Sequence, residues 1–176
     1  MMRRTWLTGV ILCMAGVAWA GPQRDAVLDV LSGIEQPPTQ EVLLALGDSV
    51  TEELLEIALD SSVPVTRRGR AITALAFFPT DPVRAFLESQ LAEGESPLFR
   101  RKAAGALAAG WGVAALPLLQ GALEDSDAQL RIATVGALAQ IDDEAARTML
   151  QERLVTEADP TVKDTITKAL KAEVAP

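Results

Sequence analysis

LFRRKAAGALAAGWG, Leu98–Gly112, places three consecutive basic residues ahead of a run of alanine and glycine and sets a tryptophan between two glycines. Its reading decides the fold, because the arrangement recurs along the chain. RRGRAITAL (Arg67–Leu75), LRIATVGAL (Leu130–Leu138) and VKDTITKAL (Val162–Leu170) each end in an Ala-Leu pair, as does RRKAAGAL within the opening stretch. The four pairs are Ala74-Leu75, Ala106-Leu107, Ala137-Leu138 and Ala169-Leu170, with leucines 32, 31 and 32 residues apart. Seven residues before each leucine stands a base: Arg68, Arg100, Arg131 and Lys163. After the first three anchors, leucine also occupies the positions 12 residues on (Leu87, Leu119, Leu150) and 16 residues on (Leu91, Leu123, Leu154). A fixed period of this size is the signature of repeat units that bury their apolar faces by stacking on one another. One more step of 32 back from Leu75 reaches Leu43, and the same offsets mark Leu55 and Leu59 as core positions of a degenerate first unit, whose basic position has become Gln36.

Inside a unit the apolar residues follow helical spacing, as in Val83, Phe86, Leu87 and Leu91, or Ala115, Leu118, Leu119 and Leu123. Breaks at QPPT, FPTDP, GWG and ADP divide each unit into two helices, since proline and glycine punctuate them. First helices are expected over 38–46, 66–78, 97–109, 128–141 and 160–172, and second helices over 50–60, 81–92, 112–124 and 142–156. One further helix, 23–32, covers the N-terminal end. The small residues Ala103, Ala104, Gly105 and Ala106 then lie on a first helix between neighbouring repeats, where short side chains let helix axes approach. The opening stretch is therefore a packing surface. The period runs straight through it, which excludes a linker, and Arg100, Arg101 and Lys102 exclude a membrane span.

From Thr39 to Lys171 the chain resembles HEAT-repeat proteins of the short type found in bilin-lyase-like repeats, through RRGRAITAL, RRKAAGAL, LRIATVGAL and VKDTITKAL. The resemblance implies an all-α fold, a right-handed α-solenoid of HEAT-type helical hairpins over 38–176, behind a capping helix and linker at 21–37. It implies a non-catalytic scaffold or adaptor for a protein partner, with an accessory enzyme or chaperone-like protein related to bilin lyases as the alternative. It also implies an Asp-Arg ladder between repeats, built on the basic residue of each first helix. Asp127 and Asp159, four residues before Arg131 and Lys163, are the expected acids, whereas Ser96 and Pro64 occupy that place before Arg100 and Arg68. The second helices are implied to line the partner-binding face, and they carry mostly acid, including Glu52, Glu56, Glu88, Glu124 and Glu152.

The N-terminus adds a destination. Arg3 and Arg4 precede an apolar run from Trp6 to Val17 and then Ala18-Trp19-Ala20, the order of a cleavable secretory signal over 1–20. A periplasmic or secreted bacterial protein beginning at Gly21 is expected, with no membrane insertion after cleavage. Cys13 is the single cysteine and falls within the signal, so the cleaved chain has no disulfide or thiolate metal site. Removing Arg3 and Arg4 from 16 basic residues leaves 14 against 24 acidic, a net charge of −10. Such acidity excludes a nucleic-acid partner, whose phosphates require a basic footprint.

The 176 residues include no histidine, which removes histidine-dependent nucleophilic schemes and histidine metal sites. The chain is expected to be no enzyme and to carry no cofactor or metal. The acidic stretches EDSDAQ (Glu124–Gln129) and DDE (Asp142–Glu144) lack the spacing of a calcium loop and read as helix caps. Five residues stand outside the repeat pattern as candidate partner-binding residues. Arg67, Arg70, Arg101 and Lys102 would crowd one rim and suit an acidic partner segment. Trp111 replaces a turn former and is either a binding anchor or a side chain folded back over the space beside Gly110.

Overall fold

The computed structural model describes residues 22–33 and 38–172. The expected signal at 1–20 and the degenerate Gln36 lie outside the described residues. Among those described, ten α-helices and no strand occur. In order they are α1 (Pro22–Val30), α2 (Gln40–Leu44), α3 (Val50–Leu59), α4 (Val65–Ala74), α5 (Asp81–Glu93), α6 (Pro97–Trp111), α7 (Leu116–Leu123), α8 (Ala128–Leu138), α9 (Glu144–Thr156) and α10 (Pro160–Ala172). Short 3-10 turns extend α4 over Leu75–Phe77 and join α6 to α7 over Gly112–Ala115.

The first helices α4, α6, α8 and α10 pack side by side. Each second helix packs on the first helix that follows it, α3 on α4, α5 on α6, α7 on α8 and α9 on α10, while α1 lies along α3. The result is an all-α solenoid of helical hairpins. Its spine is the repeated Ala-Leu pair: Leu75, Leu107 and Leu138 are fully buried, and Ala74, Ala106 and Ala137 nearly so. Leu170 is only half-buried, because no later unit packs over it among the described residues. The run Pro97–Leu123 has the length and composition of a membrane span. Its apolar face is instead core: Phe99, Ala103, Leu107 and Leu119 are buried and Arg100 is ion-paired.

Three expectations need correction. In α3 the buried residues are Val50, Leu54, Ile57 and Ala58, while Leu55 is half-buried and Leu59 is 62 % exposed. Leu54 follows Leu43 by 11 residues where Leu87 follows Leu75 by 12, so the connection is one residue shorter than the repeat step assumed. At about 100° per residue, that single slip leaves Leu55 at the edge of the buried face, still packed against the core, and turns Leu59 outward. The first unit is also truncated, since α2 covers only Gln40–Leu44, with Thr39 capping it and Gly47 turning the chain at φ 121°. Finally, GWG is not a break as a whole: α6 runs through Trp111, and Gly112 alone turns the chain at φ 50°.

Gly110 is needed for contact. A Cβ there would stand 3.2 Å from the Ala76 carbonyl oxygen, so the end of α6 rests on the backbone of the preceding unit. Gly105, in the same helix, has open space where its Cβ would be. Replacing a mid-helix glycine by alanine in open space gains about 0.5–1 kcal/mol. Gly105→Ala should therefore raise the thermal midpoint, and Gly110→Val should lower it through an overpacking cost of about 1–3 kcal/mol. A stabilising Gly110→Val would contradict this packing.

Candidate partner-binding surface

The basic residue of each first helix works as a staple between units. Arg68 Nε donates to the Ala58 carbonyl at 2.9 Å, its Nη2 donates to Glu95 at 2.8 Å, and its guanidinium lies over the Phe99 ring, 4.7 Å from the centroid. Arg100 donates to the Leu91 carbonyl and to Asp125. Arg131 donates to the Asp125 carbonyl and, through Nε and Nη2, to both carboxylate oxygens of Glu157 at 2.9 and 3.0 Å. Each guanidinium thus ties carbonyls near the end of the second helix behind it to an acid in the loop ahead.

The acids are not those expected. Asp127 accepts from the Gln129 amide and caps α8, and Asp159 accepts from the Thr161 and Val162 amides at the start of α10. The pairing acids lie two residues earlier, where Asp125 and Glu157 also accept the amides of Asp127 and Asp159. Nor are there gaps at Arg68 and Arg100, since Glu95 and Asp125 pair with them. Lys163 is exposed with no ion pair to a described residue.

At the other end the pattern begins with a residue that the sequence reading missed. Arg24 of α1 pairs with Asp60, which accepts the Ser62 amide just as Asp125 accepts that of Asp127. The signal that could have found it is the acid two residues ahead of a serine or aspartate, repeated at Asp60, Asp125 and Glu157.

These contacts hold the acids ionised. Hydrogen bonds from Ser62, with Arg24 behind them, lower the Asp60 pKa; Arg68 lowers that of Glu95; Arg100 and the Asp127 amide lower that of Asp125. Glu157 is 2 % exposed, and burial alone would raise its pKa. Hydrogen bonds from Arg131, the Asp159 amide and Arg153 outweigh burial and bring it down to about 2.

The five candidate residues do not form one site. Arg70 Nη1 donates to the Leu31 and Gly33 carbonyls, both at 2.7 Å, and so fastens the end of α1 to α4. Arg67 is half-buried at the position where the other first helices bury Phe99, Leu130 and Val162. Lys102 is exposed, with its stem alongside Gly69 of α4, and Arg101 is half-buried beside it. The side chains of Arg67, Arg101 and Lys102 make no ion pair or hydrogen bond with another described residue. Trp111 lies ten residues beyond Arg101, about 15 Å along the helix axis, half-buried against the core.

That half-burial sets an expectation for its fluorescence. With Trp6 and Trp19 changed to Phe, emission should be blue-shifted from that of free tryptophan and only partly quenched by iodide. Trp111→Ala should cost about 1–2 kcal/mol, below the loss of a fully buried tryptophan. Fully quenched, red-shifted emission with unchanged stability would show a projecting anchor instead.

A second surface is formed by the outward faces of α5, α7 and α9, which present Ala85 and Ser89, Pro117 and Gly121, and Thr148 and Gln151, all exposed. Between α7 and α9 a cavity of about 160 Å³ opens over Leu123 and Met149. Glu124 and Glu152 stand at its margin with Gln120 and Thr156. Neither Glu124 nor Glu152 is ion-paired with a described residue. Of the other acids in the two acidic stretches, Asp125 pairs with Arg100, and Asp127 and Asp143 cap α8 and α9. Among the described residues, no three acidic side chains converge as a metal site requires.

A family model described as HEAT repeats matches residues 84–171, half of the chain. No curated protein matches it.

Proposed function

We propose, from the premise that this chain belongs to the HEAT-repeat family, that it is a non-catalytic protein-binding scaffold of the bacterial periplasm or cell exterior. The observation that carries the reading is the outward face of α5, α7 and α9. Ala85, Ser89, Pro117, Gly121 and Thr148 on that face are short, so covering them costs little conformational entropy, and their backbones are fixed in advance by the solenoid core. HEAT repeats commonly mediate protein–protein interaction, and the surface supports the same use here. Export rests on the charged, apolar and small-residue order of the first 20 residues.

The alternative, an accessory enzyme of bilin-lyase type, requires room for a tetrapyrrole. The cavity between α7 and α9, at about 160 Å³, is smaller than the roughly 300–1,000 Å³ of ordinary small-molecule sites and does not itself supply that room. Affinity capture from the native cell envelope with the tagged full chain, read by mass spectrometry, tests the proposal. A partner retained above control is expected. A preparation that retains no protein and takes up bilin with a visible absorbance band would replace the scaffold by the lyase reading.

A further inference from the structure

We propose that the cavity between α7 and α9 receives a single lysine side chain from an extended segment of the protein partner. The proposal rests on the protein-binding reading and gives it a contact point. The floor is apolar, since Leu123 is 3 % exposed and Met149 packs half-buried against the core. A lysine stem is a chain of methylenes, and methionine, flexible and polarisable, adapts to such an occupant. The volume of about 160 Å³ suits one long side chain rather than a cofactor.

Charge chooses lysine over an apolar side chain. Glu124, just past the end of α7, and Glu152, on α9, border the cavity from its two sides with no ion-pair partner among the described residues. Arg153 also borders the cavity, but its Nε and Nη2 are directed to the buried Glu157 at 3.0 and 2.7 Å. An ammonium group entering over Met149 therefore meets two carboxylates and no free cation among the cavity's residues. Exposed Gly121, with open space at its Cβ position, lets the partner's backbone come close to α7. The net charge of −8 attracts a basic segment at long range.

The probe is the capped peptide acetyl-Ser-Ala-Lys-Ala-Ser-amide, compared with its norleucine counterpart, which keeps the stem and lacks the charge. With the full chain methyl-labelled at methionine and leucine, the lysine peptide is expected to shift the Met149 and Leu123 resonances saturably. The norleucine peptide should bind more weakly. Glu124→Gln combined with Glu152→Gln should lower the affinity for the lysine peptide at least about fivefold, with the thermal midpoint unchanged. Equal binding of both peptides would make the cavity a plain apolar slot and overturn the proposal. Absence of a saturable Met149 shift would also overturn it, as would a shift that grows with protein concentration alone, which marks a second copy of the chain as occupant. The two readings separate in the capture experiment: a partner retained equally by the chain and by the double variant ends the lysine proposal and leaves the scaffold standing, whereas failure of the unaltered chain to retain any partner counts against the scaffold itself.

Discussion

Leu119→Ala is expected to cost about 2–5 kcal/mol of folding free energy, as truncation of a fully buried leucine does. Leu119 is completely inaccessible in α7, an interior second helix packed on α8. In a solenoid each unit touches mainly its neighbours, so stability is close to a sum over units and interfaces. A cavity in an interior unit weakens packing on both sides of it. Leu170, the first-helix anchor of the last unit described, is half-buried, and Leu170→Ala should cost less than half as much. Urea denaturation of both variants decides the matter. A nearly neutral Leu119→Ala, or equal losses at the two positions, would contradict the stacking described here.

Glu157→Gln is expected to be of comparable size and to change the acid response as well. The carboxylate, with 1 % of its side chain exposed, serves Arg131 and Arg153 together. Removing its charge leaves both guanidinium groups facing a neutral amide, and breaking a buried pair in this way costs about 3–5 kcal/mol. The folded pKa of about 2 lies below the ordinary value of 4.5. A depressed carboxylate stabilises the folded state above the unfolded pKa and loses that contribution as pH falls through the folded one. Glu157 thus supplies about 3 kcal/mol that disappears between pH 4.5 and about 2. Asp60, Glu95 and Asp125, also lowered, act in the same direction. Denaturation midpoints measured across this pH range should fall steeply for the unaltered chain and more shallowly for Glu157→Gln. Parallel curves would show that Glu157 is not the principal acid-sensitive group.

The anchors Leu75, Leu107 and Leu138, the second-helix leucines Leu87, Leu119 and Leu150, and most helix limits were legible in the sequence. The reason is that burial on one face of a helix imposes a local period, and repeated units impose it again every 31 or 32 residues. The candidate site was far less legible. The cavity is shared by α7 and α9, whose lining residues Leu123 and Met149 have no pattern that links them along the chain. The basic rim was readable as composition, but the engagement of Arg70 with the Leu31 and Gly33 carbonyls depends on where α1 docks. The sequence by itself determined the helical hairpins, their period and the inward face of each regular unit. Only the tertiary structure decided that Arg131 meets Glu157 rather than Asp159, that Arg24 of α1 takes Asp60, and that α3 turns Leu59 outward. A period specifies which side of a helix is buried. Which carboxylate reaches which guanidinium is set by the rotation and offset between stacked units, and these follow from close contacts such as Gly110 on Ala76.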